Sequence, residues 1–452
     1  MTTRMHDNSA FSEHIVDLVL DYSKRRLLAD DIPIDRGSTE RELQRLAGKT
    51  ITADGIGTAR ALGLFEHVLA PACVTTEHPR NLAFIPSAPT KAAAAFDVVV
   101  SASSIFGGSW KEASGVVHAE NETLAWLAKE FGFPETAGGV FVQGGTVGNL
   151  SALVAAREKA QRKNPNFTGR WKIICSKEAH SSIKSACHVM GAEAVLVPGD
   201  KNGKLRGDAV REALTEHGEA VCAVVATGGA TNFGIVDAIN EVAELKSEFD
   251  FWLHVDGAYG LAAALTDIRR DKFAGLEHAD SAIVDPHKWL FSPYDACALI
   301  YRDPEEGRRA HTQKAEYLDV LTETVEFNPS DYAIQLTRRA RGLPTWFSLA
   351  VYGTDAYREA ISHSIELADR AAAEIKKRKE LELVREPELS VVVFKRRGWK
   401  QEDYDRWSDE LLADEVGFVV PSSFNGEPVL RFALINPRTT FEDLLLILDR
   451  LK

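Results

Sequence analysis

Two short segments constrain this chain more than any others. Phe251-Trp252-Leu253 runs into His254-Val255-Asp256-Gly257-Ala258-Tyr259, and Ser281-Ala282-Ile283-Val284 runs into Asp285-Pro286-His287-Lys288-Trp289. Each is an apolar run of strand length that ends in a chemically useful side chain, Asp256 in the first and Lys288 in the second. The two are 32 residues apart, the length of one strand-to-strand crossover. Two parallel strands then bring an acid and an amine to the same edge of a sheet, which is where open α/β sheets hold ligands. Either segment alone is ordinary. Lysines at strand ends are usually solvated, and an aspartate after an apolar run usually caps a turn. The joint pattern is far more specific.

A third segment strengthens it. Gly139-Val140-Phe141-Val142-Gln143 reads as a strand, Gly144-Gly145-Thr146 as a glycine-rich turn, and the stretch from Asn149 to Lys163 as a helix. Glycines let backbone N–H groups approach an anion, a helix N-terminus adds positive dipole, and Thr146 adds a hydroxyl. The spacing is neither the dinucleotide fingerprint nor the nucleotide phosphate loop. An amine that can form a Schiff base and an acid that can hold a pyridinium nitrogen are the two groups pyridoxal phosphate needs.

The 452 residues allow one large domain plus a smaller one. A net charge of −13 argues against a nucleic-acid partner, which needs clustered Lys and Arg. The five cysteines, Cys73, Cys175, Cys187, Cys222 and Cys297, form no C-x-x-C pair. They read as buried free thiols in a reducing compartment, and no metal site is expected. The N-terminus lacks an apolar signal core, and no apolar run reaches the ~20 residues of a membrane helix. A cytoplasmic enzyme with no membrane partner is the expectation.

Helical periodicity marks residues 11–29, 38–47 and 57–69, so residues 1–75 are expected to be a helical extension. Residues 76–345 alternate. Strands are predicted at 140–143, 171–176, 194–197, 221–226, 252–255, 281–284 and 296–301, with helices at 121–131, 149–163, 207–217 and 239–249. This predicts an α/β domain with a mostly parallel sheet covered on both faces. Residues 346–452 read as helix, strand, strand, helix, strand, strand, helix, a small α/β domain. Its clearest strands are 390–394, 418–421 and 429–435.

At this point the chain resembles the group II pyridoxal-phosphate-dependent amino acid decarboxylases, the family of aromatic amino acid and glutamate decarboxylases. The matching segments are His78-Pro79, Gly144-Gly145-Thr146, Ala179-His180-Ser181-Ser182, Ala226-Thr227, His254-Val255-Asp256 and Pro286-His287-Lys288-Trp289. The resemblance spans roughly residues 78–352. It implies a fold type I transferase-like architecture, pyridoxal 5'-phosphate as cofactor, and decarboxylation of an L-amino acid to its amine. It also implies a homodimer, with N-terminal helices packing across it and the active site near the interface.

The roles follow from this resemblance and from the chemistry of each residue. Lys288 forms the Schiff base, with an amine pKa lowered by partial burial beside an aldehyde. Asp256 holds the ring nitrogen, so that the ring accepts the electrons freed when CO2 leaves. His180 stacks on the ring, or alternatively caps a helix before Ser181-Ser182. Ala258 lies under the ring, or simply packs. Gly144, Gly145 and Thr146 hold the phosphate, which His287 also touches. Thr227 and Thr231 line the cofactor and substrate-carboxylate side. A loop over residues 322–337 carries the tyrosine that protonates the carbon left by CO2. Tyr332 is the candidate, with Tyr317 as runner-up.

The substrate side is expected at His78, Phe84, Ile85 and Trp110. Here the chain departs from the aromatic amino acid members. Gly108 stands where they place Phe before Ser109-Trp110, and Ile85 and Thr76 stand where they carry aromatic residues. Arg80 and Lys111 nearby suit an acidic substrate, or are merely solvated. Gly257 replaces the first alanine of the family's His-Val-Asp-Ala-Ala. Competing readings are an aldehyde synthase on the same scaffold, opposed by Tyr332 and His180, a C–C lyase acting on a phosphorylated amino alcohol, and a non-catalytic cofactor-binding scaffold.

Overall fold

Seven short segments, most of them wholly buried, pair into one sheet in a computed structural model that describes residues 5–313 and 326–452. They are β1 (Gly138–Val142), β2 (Lys172–Ser176), β3 (Glu193–Val197), β4 (Val221–Thr227), β5 (Trp252–Asp256), β6 (Ser281–Val284) and β7 (Cys297–Tyr301). The spatial order is β1-β7-β6-β5-β4-β2-β3. Only β7 runs against its neighbours β1 and β6. The other pairs are parallel. Every residue of β4 to β7 is buried, as expected of strands covered on both faces.

The strands split their side chains between two apolar clusters. Leu253 and Val255 of β5 belong to one, Trp252 to the other. On the second face lie α6 (Gly145–Lys163) and α7 (Ser181–Met190), which bury Ala152, Leu153, Ala155 and Ala156, and Ile183 and Ala186. On the first lie α5 (Trp110–Glu130), α8 (Gly207–His217) and α9 (Ile239–Glu244). Register sets the site. Thr227 of β4 pairs with Asp256 of β5, and His254 with Ser281 of β6, so the ends of three parallel strands open at one edge.

A second, antiparallel sheet has the order β10-β11-β9-β8. Its strands are β8 (Leu381–Leu383), β9 (Val391–Arg396), β10 (Ser422–Phe424) and β11 (Glu427–Ala433). The expected strand at 418–421 is corrected. Phe418 makes only an isolated bridge to Asn81, because its N–H donates to Arg80 and its carbonyl accepts from Leu82. A long helix, Leu343–Lys377, bends at Gly353, where φ is 76°. Three elements differ in length from expectation. The helix expected at 121–131 begins at Trp110, and the one at 149–163 begins at Gly145. The one at 239–249 ends at Glu244 and tightens into a 3₁₀ turn.

The N-terminal helices are Ala10–Leu28, Glu40–Ala47 and Thr58–Leu64, the last continuing as a π turn over Phe65–Leu69. None of them buries a residue within this chain. Phe11, Val16, Val19, Leu20 and Leu28 are exposed.

Candidate functional site

A cavity of about 190 Å³ opens at the C-terminal ends of β4, β5 and β6. Lys288 lies in the turn after β6. Trp289 and Leu290 anchor that turn, both fully buried, and Trp289 stacks on Tyr259 at 5.2 Å. Lys288 Nζ sits 2.9 Å from Asp285 Oδ2. Burial alone pulls the ammonium pKa down, but Asp285 outweighs it, and the pKa lies above its ordinary value. This raised value belongs to the free ammonium, whereas the lowering expected of Lys288 concerns the amine beside an aldehyde. Burial likewise raises Asp285, and Lys288 and His287 pull it back below the usual carboxylate value. His287 Nδ1 lies 2.7 Å from the carbonyl oxygen of Ala296.

Asp256 ends β5, 5% exposed. Its Oδ2 accepts from Asn149 Nδ2 at 2.8 Å and its Oδ1 from the Ala258 N–H at 3.2 Å. Gly144 and Gly145 form the start of α6, and no side chain caps its first N–H groups. A Cβ at Gly145 would crowd both Ala258 Cβ and Asp285 Oδ2 at 3.2 Å. His180 caps α7, with Nδ1 accepting the Ser182 N–H at 3.2 Å, and it also lines the cavity. Thr146, Thr227, Thr231, Ala258 and His287 line the same space.

Two buried polar atoms beside the cavity, Thr227 Oγ1 and Asp285 Oδ1, have no hydrogen-bond partner among the described residues. Buried polar groups are rarely left so, and sites awaiting a ligand are one place where they occur. Unpaired donors at a helix start suit a phosphate, Asp256 suits a protonated ring nitrogen, and Lys288 suits an aldehyde. The donor set fits pyridoxal phosphate.

Other expected residues do not join this cavity. His78 is buried, accepts the Arg80 N–H at 3.0 Å, and is pushed down to about 4 by burial. Ile85 belongs to the core. Phe84 is 63% exposed and faces Phe418 at 6.3 Å. The Trp110 N–H donates to Asn328. Arg80 reaches the Glu415 carbonyl, and Lys111 is exposed, so neither lines the cavity. Tyr332 is corrected too. It is 7% exposed, stacks on Phe327 at 4.1 Å within the α6 side of the core, and is absent from the cavity wall. An aromatic beside Pro329 was drawn into apolar packing rather than left on a loop. Tyr317 lies outside the described residues.

Asn149, Tyr259, Gly229 and Asp285 line the cavity although sequence reasoning gave them no role. Asp285 opened the lysine segment itself. Asn149 lay within the glycine-helix segment, and a buried amide one turn into a helix was its signal. Arg431 of β11 was also missed. Buried to 5% exposure, it donates to the carbonyls of Phe84 and Thr231 and so ties the small sheet to the cavity wall.

Comparison with known proteins gives a consistent result. The model of the pyridoxal-dependent decarboxylase conserved domain matches residues 52–397. An aromatic-L-amino-acid decarboxylase of Bacillus atrophaeus is 31% identical, over 99% of this chain and 92% of that protein. An L-2,4-diaminobutyrate decarboxylase of Rhizobium meliloti is 30% identical, over 87% and 81%. The crystal structure of Oryza sativa TDC with PLP and tryptamine superimposes with a TM-score of 0.89 at 23% identity, covering 100% of this chain and 99% of that one.

Proposed function

Because the chain belongs to the pyridoxal-dependent decarboxylase family and is a pyridoxal-phosphate-dependent amino acid decarboxylase, we propose that Lys288 is the amine that carries the cofactor. The supporting observation is the meeting of Lys288, Asp256 and the uncapped start of α6 in one cavity. The Gly144 and Gly145 N–H groups and the Thr146 hydroxyl would hold the phosphate, with His287 beside them. Asp256 would keep a proton on the ring nitrogen, and His180 and Ala258 would bracket the ring. Thr227 and Thr231 would face the substrate side. When bound, the cofactor supplies an electron sink for the pair released as the carboxylate leaves.

The protein's own part is to hold, orient and protonate. Asp256, fixed by Asn149 and the Ala258 N–H, gives the ring nitrogen a stationary anionic partner. The closing proton must come from a group that reaches the cavity, and His180 and Lys288 both do. Among the described tyrosines only Tyr259 lines it, and its hydroxyl lies 2.6 Å from Ser390 Oγ. With Tyr332 in the core, the case against an aldehyde synthase rests on His180 and on the decarboxylase relatives.

The parts read as a helical extension over 1–75, a cofactor domain over 76–345 and a small domain over 346–452. A homodimer is supported by the exposed apolar side chains of the first helix. Beside it lies an apolar cavity of about 580 Å³, lined by Leu27, Ile32, Phe291, Tyr294 and Tyr352, with Phe291 and Tyr294 just downstream of Lys288. Among the described residues no helix is long and apolar enough to cross a membrane. Five free cysteines support a cytoplasmic location, although Cys73 is exposed rather than buried.

Borohydride reduction of the loaded enzyme followed by peptide mapping should place the pyridoxyl mass on Lys288. Mass on another lysine overturns the assignment. Products from a panel of L-amino acids, assayed as amine against aldehyde, identify the substrate and separate decarboxylase from synthase.

A further inference from the structure

β5 alternates in an unusual way. Trp252, His254 and Asp256 share one face of the strand, and all three are buried. Helix α6 crosses that face and places Asn149 among them, while β6 supplies Ser281 opposite His254. The contacts form one chain. Trp252 Nε1 lies 2.7 Å from Ser281 Oγ, and Ser281 Oγ lies 2.8 Å from His254 Nδ1. His254 Nε2 lies 2.8 Å from Asn149 Oδ1. Asn149 Nδ2 lies 2.8 Å from Asp256 Oδ2 and 2.9 Å from Ser182 Oγ. Ser182 Oγ lies 2.9 Å from His180 Nδ1.

The donors are fixed from the carboxylate end. An ionised carboxylate only accepts, so the Asn149 amide turns its Nδ2 protons to Asp256 and Ser182 and its Oδ1 to His254. An amide oxygen only accepts, so a neutral His254 carries its proton on Nε2 and donates it there. Its bare Nδ1 then accepts from the Ser281 hydroxyl, which in turn accepts from the Trp252 indole N–H. The Ser182 N–H donates to His180 Nδ1, which leaves the His180 proton on Nε2. Burial pushes the His254 pKa down to about 4, so the imidazole stays neutral and the direction does not reverse.

We propose that Asn149 is a positioning residue that joins Asp256 and His180, the two groups read above as facing the cofactor ring, through one directional hydrogen-bond chain. It would hold Asp256 as an oriented acceptor and His180 in its Nε2–H form before any cofactor arrives. The proposal rests on the reading of Asp256 and His180 in the preceding section, but its first test does not.

Nitrogen-15 NMR of histidine-labelled protein, freed of cofactor, should find His254 and His180 with the proton on Nε2. A proton on Nδ1 of either ring overturns the chain. In the loaded enzyme, Asn149→Leu should lower kcat by roughly tenfold or more while KM moves less than about threefold, the scale of one lost charged hydrogen bond. The isosteric Asn149→Asp guards against misfolding. It keeps the acceptor for His254 but puts a second carboxyl against Asp256, and two such groups share one proton. Its turnover should approach that of wild type at acid pH and fall by roughly tenfold as that proton is lost, a limb the wild type lacks. The titratable groups facing this pair are His254, His180, Lys288 and Cys297. Expected tautomers with wild-type turnover and pH profile in Asn149→Asp would overturn the coupling. A pyridoxyl mass away from Lys288 would instead overturn the assignment beneath it.

Discussion

Asp285 is the residue whose role is sharpest and least foreseen. Only an unprotonated amine attacks an aldehyde, yet Asp285 holds the Lys288 ammonium in its charged form at 2.9 Å. With Lys288 as the proposed cofactor amine, this pair should slow cofactor loading. Asp285→Asn keeps the shape, removes the anion and leaves burial to lower the amine's pKa. Cofactor-free Asp285→Asn should take up pyridoxal phosphate roughly tenfold faster at neutral pH, followed by absorbance, since each pKa unit is a factor of ten in free amine. An unchanged rate would mean that Asp285 does not control the amine. Asp237 is a second buried acid. It accepts from the Thr227 N–H at 2.7 Å and the Leu205 N–H at 2.8 Å, and burial pushes its pKa up to about 7. The folded state therefore keeps this proton after the unfolded chain has lost it. Its contribution is complete below about pH 4 and is lost as pH rises to about 7, up to an amount on the order of 4 kcal/mol. Asp237→Asn removes that dependence. Urea melts across this range should show wild type losing stability relative to the variant with rising pH, and a constant difference would refute the burial effect.

At the scale of elements, the turn after β5 shows how a small sequence departure is absorbed. A Cβ on Gly257 would lie 1.9 Å from Leu261 Cγ, so the space of one missing methyl is filled by a side chain four residues on. Gly257→Ala should destabilise by roughly 1–3 kcal/mol through overpacking. Leu261→Ala alone leaves a cavity costing roughly 2–5 kcal/mol. Combined, the two should cost clearly less than their sum, because each relieves the other, and strict additivity in denaturant melts would rule the contact out. The strands were legible because buried parallel strands are short, continuous apolar runs with few alternatives. Helix ends were not. The first turns of Trp110–Glu130 contain a non-helical residue, Ala113, and fell outside the helix expected at 121–131. The Phe418 segment has strand-like residues but pairs with Arg80 and Leu82, far away in sequence.

For the whole molecule, no residue of the three N-terminal helices is fully buried within one chain, and the proposed homodimer would cover their exposed apolar side chains. Leu20→Asp, at a residue 47% exposed, should shift the mass measured by light scattering from dimer toward monomer, and an unchanged dimer would locate the interface elsewhere. What the sequence determined by itself was local chemistry carried on regular elements: the lysine and aspartate at two strand ends, the glycine turn at a helix start, and hence the cofactor and the sheet. Strand periodicity and crossover length are properties of neighbouring residues, so they can be read in one dimension. Only the tertiary structure decided that Tyr332 lies in the core and that Ile85 does too. It also decided that Asp285 pairs with Lys288, and that Trp252, Ser281, His254 and Asn149 align into one chain ending at Asp256. Those outcomes depend on which distant side chains share a buried volume, and no spacing along the chain encodes that.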